Sequence, residues 1–146
     1  MRVSRSLAAA AAAACLTVGV ALAATPASAA SATQRRDVCF TGACGSATVT
    51  FKDHWNATVS MSVADTDCDN HAAEIRIIAY QWSYSNQEEY TWTGPWHVNN
   101  GGCNTGWVPW NNLPFAGGDP LLGFKVEACV KDTDRCETST EMANPH

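Results

Sequence analysis

The stretch NATVSMSVADTDCDNHAAEIRIIAYQW, residues 56–82, decides the fold class. It opens on an alternation, with Ala57, Val59, Met61 and Val63 on one register and Asn56, Thr58, Ser60 and Ser62 on the other. A period of two puts one set on each face of a half-buried strand. After a polar break, AEIRIIAYQW resumes as a second strand. Ile75, Ile77 and Ala79 share one face, and Ile78, Tyr80 and Trp82 thicken the other, as in a strand central to its sheet.

The polar break between them holds Asp65, Asp67 and Asp69 at alternate positions around Cys68. Laid on a helix–loop–helix calcium loop, the three aspartates match its first, third and fifth positions. Asn70 then replaces the required glycine, and Arg76 stands where the bidentate glutamate belongs. The flanks are strands. The stretch therefore reads as a polar turn pinned by Cys68, and no metal site is expected. The similar DTDRC at 132–136 is a second turn made of the same turn-forming residues.

The same periodicity extends in both directions. ATVTF, residues 47–51, alternates, and CFTGAC, 39–44, reads as a hairpin in front of it. YTW at 90–92 is a short strand. GFKVEACVK, 123–131, is a clear late one, with Phe124, Val126, Ala128 and Val130 inward, and residues 135–140 return as a last strand. From Thr93 to Pro120 the pattern is lost among Gly94, Pro95, Gly101, Gly102, Gly106, Pro109 and Pro114, so a long irregular loop region is expected. No window supports a long amphipathic helix. The reading is all-β: a small antiparallel β-sandwich of immunoglobulin-like size.

The start of the chain reads differently. Arg2 and Arg5, an alanine-rich apolar run from Leu7 to about Ala24, and Ala27-Ser28-Ala29 have the three parts of a secretory signal peptide over residues 1–29. Residues 30–38 are expected to be a flexible leader, and 39–146 one sandwich domain. Cys15 leaves with the signal, and six cysteines remain: Cys39, Cys44, Cys68, Cys103, Cys129 and Cys136. An even count in an exported small domain is a disulfide framework. Local spacing favours Cys39–Cys44 and Cys129–Cys136, with Cys68–Cys103 as the long staple. Without a C-x-x-C pair, zinc is not indicated.

After loss of Arg2 and Arg5, seven Lys and Arg face fourteen Asp and Glu. With no basic cluster beyond Arg35-Arg36, nucleic acid and anionic membrane are not expected partners. The chain has neither H-E-x-x-H nor G-x-S-x-G. Adjacent Glu88 and Glu89 seldom face one another across a glycosidic bond. A secreted, extracellular, non-enzymatic monomer without cofactor is expected.

Tryptophan is the unusual feature. Five of the six, Trp82, Trp92, Trp96, Trp107 and Trp110, fall in a single segment interleaved with asparagines. Flat indoles stack on sugars or fill a partner's pockets, and amides read hydroxyls. Trp92, Trp96, Trp107 and Trp110, with Asn99 and Asn100, form the candidate ligand-binding set. The competing reading makes such aromatics the filling of a thin core.

Taken whole, the signal AAAAACLTVGVALAATPASA, the strand pair ATVSMSVADTDCDNHAAEIRI and the terminal FKVEACVKDTDRC resemble small exported bacterial β-sandwich proteins of uncharacterised function. The resemblance implies fold and export and transfers no catalytic residue. Two functions are compatible with it. One is a binding module for an extracellular polysaccharide or protein surface. The other is an inhibitor of an extracellular hydrolase. QWSY at 81–84 is similar to the Trp-x-Tyr triplet of small secreted α-amylase inhibitors, with Ser83 where those carry arginine.

Overall fold

The computed structural model describes residues 31–146, so the expected signal peptide lies outside the described residues. Ten strands follow one another: β1 (Ala32–Phe40), β2 (Ala43–Phe51), β3 (Asn56–Asp65), β4 (Ala73–Ser83), β5 (Glu88–Thr93), β6 (His97–Val98), β7 (Val108–Ala116), β8 (Leu121–Val130), β9 (Cys136–Thr138) and β10 (Met142–Ala143). They form two antiparallel sheets. The first has the order β1-β2-β3-β7. The second runs β10-β8-β4-β5, with β6 continuing the β5 edge along β4 and β9 pairing with β8.

The inward registers meet between the sheets. Val49, Phe51, Val59 and Val63 from the first sheet pack with Ile75, Phe124, Val126 and Val130 from the second, and all are essentially sealed from solvent. Phe124 lies at the centre, 5.8 Å from the Phe51 ring and 4.9 Å from the Phe115 ring. Burial of such side chains is worth roughly 1.5–3 kcal/mol each, the main favourable term for a domain of this size. Three disulfides, Cys39–Cys44, Cys68–Cys103 and Cys129–Cys136, take the pairing that the spacing favours. They gather at one end, where the β1–β2, β3–β4, β6–β7 and β8–β9 connections meet. There Gly42 turns the first hairpin at φ 105°, and a Cβ on it would come within 2.7 Å of Val130. That combination admits only glycine.

Two expectations are corrected. The leader expected over residues 30–38 is instead structured through residues 32–38, which belong to β1 and pair residue for residue with β2. Its polar side chains hid it, since only Val38 is buried. Gln34 and Arg36 face the second sheet and hydrogen-bond across to Ala143, Thr140 and Glu141. Nor is the stretch from Thr93 to Pro120 one irregular loop, because it contains β6 and β7. In β7 the residues paired with inward positions of β3 are Val108, Trp110, Leu113 and Phe115. A bulge, with Asn112 at φ 56°, inserts one residue between Trp110 and Leu113 and breaks the period of two. Pro109 and Pro114 are tolerated because β7 is an edge strand.

Candidate functional site

The two sheets leave one lateral side of the sandwich open, between edge strands β5 and β7. Strand register decides what faces this gap. Tyr90 and Trp92 pair with inward Gln81 and Ala79 of β4, so both turn toward the other sheet. Phe115, Leu113 and Trp110 of β7 turn toward them. Trp92 meets Phe115 edge to face at 5.5 Å, and His97 meets Trp110 at 5.0 Å. These two aromatic contacts bridge the gap.

The Trp92–Phe115 contact divides the cleft into two compartments. The first, about 240 Å³, is lined by Val59, Met61 and Ile77 at its base and by Trp92, His97 and Leu113 at its walls. It is an apolar slot reaching the core. Burial holds the His97 imidazole below its ordinary value, so the ring is neutral near pH 7. The second compartment, about 390 Å³, is lined by Gln81, Tyr90, Trp92, Phe115, Gly117 and Gly118. Tyr90 donates its hydroxyl to Asp119 Oδ2 at 3.0 Å. Desolvation, and then the bond to Asp119, push the phenol above its usual value, so it stays a donor. Gln81 is only 4 % exposed, yet its Oε1 has no hydrogen-bond partner among the described residues. A Cβ on Gly117 would lie 2.6 Å from that oxygen, so the glycine keeps the room around it.

The candidate residues named from sequence do not form one surface. Trp92 walls both compartments and is 41 % exposed. Trp110 lies half-buried on the same open side, against the core. Trp96 is on the outer face of the second sheet, where the Arg76 guanidinium covers it at 4.2 Å and is itself ion-paired to Glu127. Trp107, half exposed, is in the loop at the disulfide end. Asn99 is fully buried: its amide donates to Gly106 O, and its Oδ1 accepts from the Gly101 amide and the Thr105 hydroxyl. It organises the 99–107 loop and has no surface to offer a ligand. Asn100 is exposed beside it, on a polar hollow that Asp65, His71 and Cys103 also line. Two of the aspartates act as turn formers, Asp65 accepting from the Asp67 amide and Asp69 from the His71 amide. Glu88 and Glu89 point to opposite faces of β5.

Among the described residues, Glu127, Cys129 and Cys136 bring three potential metal-ligand atoms within 4.8 Å. Both sulfurs are consumed in the Cys129–Cys136 disulfide. Sequence reasoning assigns no site role to Gln81, Tyr90 or Phe115, and admits Asp119 only as a distant second carboxylate for Glu88 and Glu89. A signal for Gln81 was present: it follows Ile75, Ile77 and Ala79 in the inward register, where a polar side chain needs a reason.

No protein-family model matches the chain. No curated protein matches it.

Proposed function

We propose that the protein is a secreted, non-enzymatic binding protein and that its contact surface is the open side between β5 and β7. The reading of export rests on the three-part signal pattern and the three disulfides. The observation that carries the binding reading is the two-compartment cleft around Trp92, with an apolar slot on one side and the unpartnered Gln81 Oε1 on the other. A half-exposed indole held by Phe115 is a rigid anchor, and ordering it on binding costs little. The test is capture on insoluble glucans, chitin, cell wall and extracellular protein, run with Trp92→Ala and Trp107→Ala. Trp92→Ala should lose about tenfold or more in affinity, as an interface anchor does. Trp107→Ala should bind as wild type. Equal loss in both, or loss only in Trp107→Ala, would move the contact away from the open side.

Inhibition of an extracellular hydrolase is the second reading. It would use the end opposite the disulfides, where Tyr84 is 65 % exposed and stands 6.4 Å from Trp55. In QWSY, Trp82 faces outward and Ser83 is buried, so Trp82, Ser83 and Tyr84 do not share one face. A panel of amylases and proteases tests this reading, with Tyr84→Ala as the variant expected to abolish any inhibition.

A further inference from the structure

Strand β5 is an edge with a usable ladder. Gly94 donates its amide to Ile77 O at 2.9 Å. With the observed register, the antiparallel alternation assigns the β4-facing bonds to Trp92 and Tyr90. The backbone groups of Glu89, Thr91 and Thr93 therefore face outward, away from β4. The backbone of this edge is free of proline and bulge, and its two charges, Glu88 and Glu89, sit at the end away from Thr91 and Thr93. Strand β7 across the cleft is blunted, because Pro109 and Pro114 remove two donors. An extended chain entering the open side would pair with β5, and its inward side chains would fall alternately into the cleft.

The compartments state what those side chains should be. In the apolar slot the His97 imidazole is the main polar group, so most of a sugar's hydroxyls would be left unpaired there. A leucine-sized aliphatic group fits its chemistry. The second compartment holds a buried acceptor with no donor among the described residues. Its Tyr90 leads to Asp119, and the inward Glu88 stands two positions from Tyr90 along β5. The terminal amide torsion of Gln81 is soft, so an entering donor can draw Oε1 out of its sealed position. A cationic donor also suits a chain of net charge −5.

Resting on the reading of the open side as the contact surface, we propose that β5 accepts an extended peptide segment of a partner protein. An aliphatic residue of that segment enters the slot beside His97, and a lysine or arginine on the same face of the strand reaches Gln81 and Asp119.

The probe is the blocked heptapeptide Thr-Lys-Thr-Leu-Thr-Lys-Thr, whose symmetry satisfies both directions of pairing. Binding is measured by calorimetry on the full mature protein. Replacing the leucine by serine, or both lysines by glutamate, should each weaken it about tenfold or more. Thr91→Pro removes an outward amide while leaving the bonds to β4, so it should abolish binding with the melting temperature nearly unchanged. Thr91→Val keeps the amide and should bind as wild type. Gln81→Leu should raise the melting temperature, because it removes a buried unpaired group, and should weaken binding of the lysine peptide. The proposal is overturned if Thr91→Pro binds normally, if charge and leucine changes are without effect, or if the peptide does not bind. Cellohexaose or chitohexaose binding lost in Trp92→Ala would overturn the peptide class and leave the open side as the contact surface. A β5-dependent dimer of the free protein, seen by light scattering, would also overturn it, making a second copy the occupant.

Discussion

The two lateral sides of the sandwich are closed by different means. On the β1 side, polar side chains reach from one sheet to the other. Gln34 Nε2 donates to Ala143 O at 2.7 Å, and Arg36 Nε donates to Thr140 Oγ1 at 3.0 Å. Two local disulfides, Cys39–Cys44 and Cys129–Cys136, pin the neighbouring hairpin and the β8–β9 turn. On the β5–β7 side the bridging contacts are aromatic, Trp92 with Phe115 and His97 with Trp110, and the one disulfide nearby is the long-range Cys68–Cys103. Hydrogen bonds and local staples fill a side and finish it. Trp92 meeting Phe115 edge to face leaves space on either side of the contact, and those spaces are the two compartments. The side that is less completely closed is the one proposed to bind.

This contrast predicts a graded set of losses. Removing Cys68–Cys103 by a double serine variant should have the largest effect. Its ends are 35 residues apart. Loop-closure entropy then gives about 4 kcal/mol, against about 2 kcal/mol for either short staple. Chemical denaturation of the three double variants measures the order. If the long staple costs no more than the short ones, the open side is not held by it. Next, Gln34→Ala with Arg36→Ala should cost about 1–2 kcal/mol together, the net worth of a few exposed to half-buried hydrogen bonds. The ligand affinity should not change, because the loss falls on the far side.

A third prediction uses pH. The folded His97 imidazole titrates below its ordinary value because of burial. The unfolded chain thus takes up a proton first on acidification, near pH ~6.5. Stability present above that value is lost as pH falls through the folded value. Burial raises Glu74, which contributes with the opposite sign at lower pH. The comparison is therefore the melting temperature of wild type and His97→Gln between pH 8 and 5.5, and the variant should show the flatter profile. The smallest effect is expected for Trp107→Ala. Its ring is half exposed, and the stability change should stay within about 0.5 kcal/mol, as for most surface substitutions.

The sequence made the fold class legible where alternation was clean. Val59, Met61 and Val63 in β3, and Phe124, Val126 and Val130 in β8, lie inward as their period requires. The cysteine spacing was equally informative, because neighbouring cysteines can close only short hairpins. Legibility failed where burial did not set the pattern. Strand β1 is held by backbone pairing and by polar side chains, which carry no hydrophobic period. Strand β7 carries one, shifted by the bulge before Leu113. The candidate site was half legible for the same reason. Composition pointed to Trp92 but could not separate it from Trp96, which lies under Arg76 on another face. Asn99 looked like a ligand residue and is a buried loop organiser. The edge groups of β5 have no composition signal, since any residue supplies a backbone amide.

Hydrogen exchange at the amides of Glu89, Thr91 and Thr93, with and without the heptapeptide, tests the central claim most directly. These amides face away from β4 and should exchange rapidly in the free protein and slowly once the open side is occupied. Unchanged exchange along β5, with protection appearing instead in the 99–107 loop, would contradict the account.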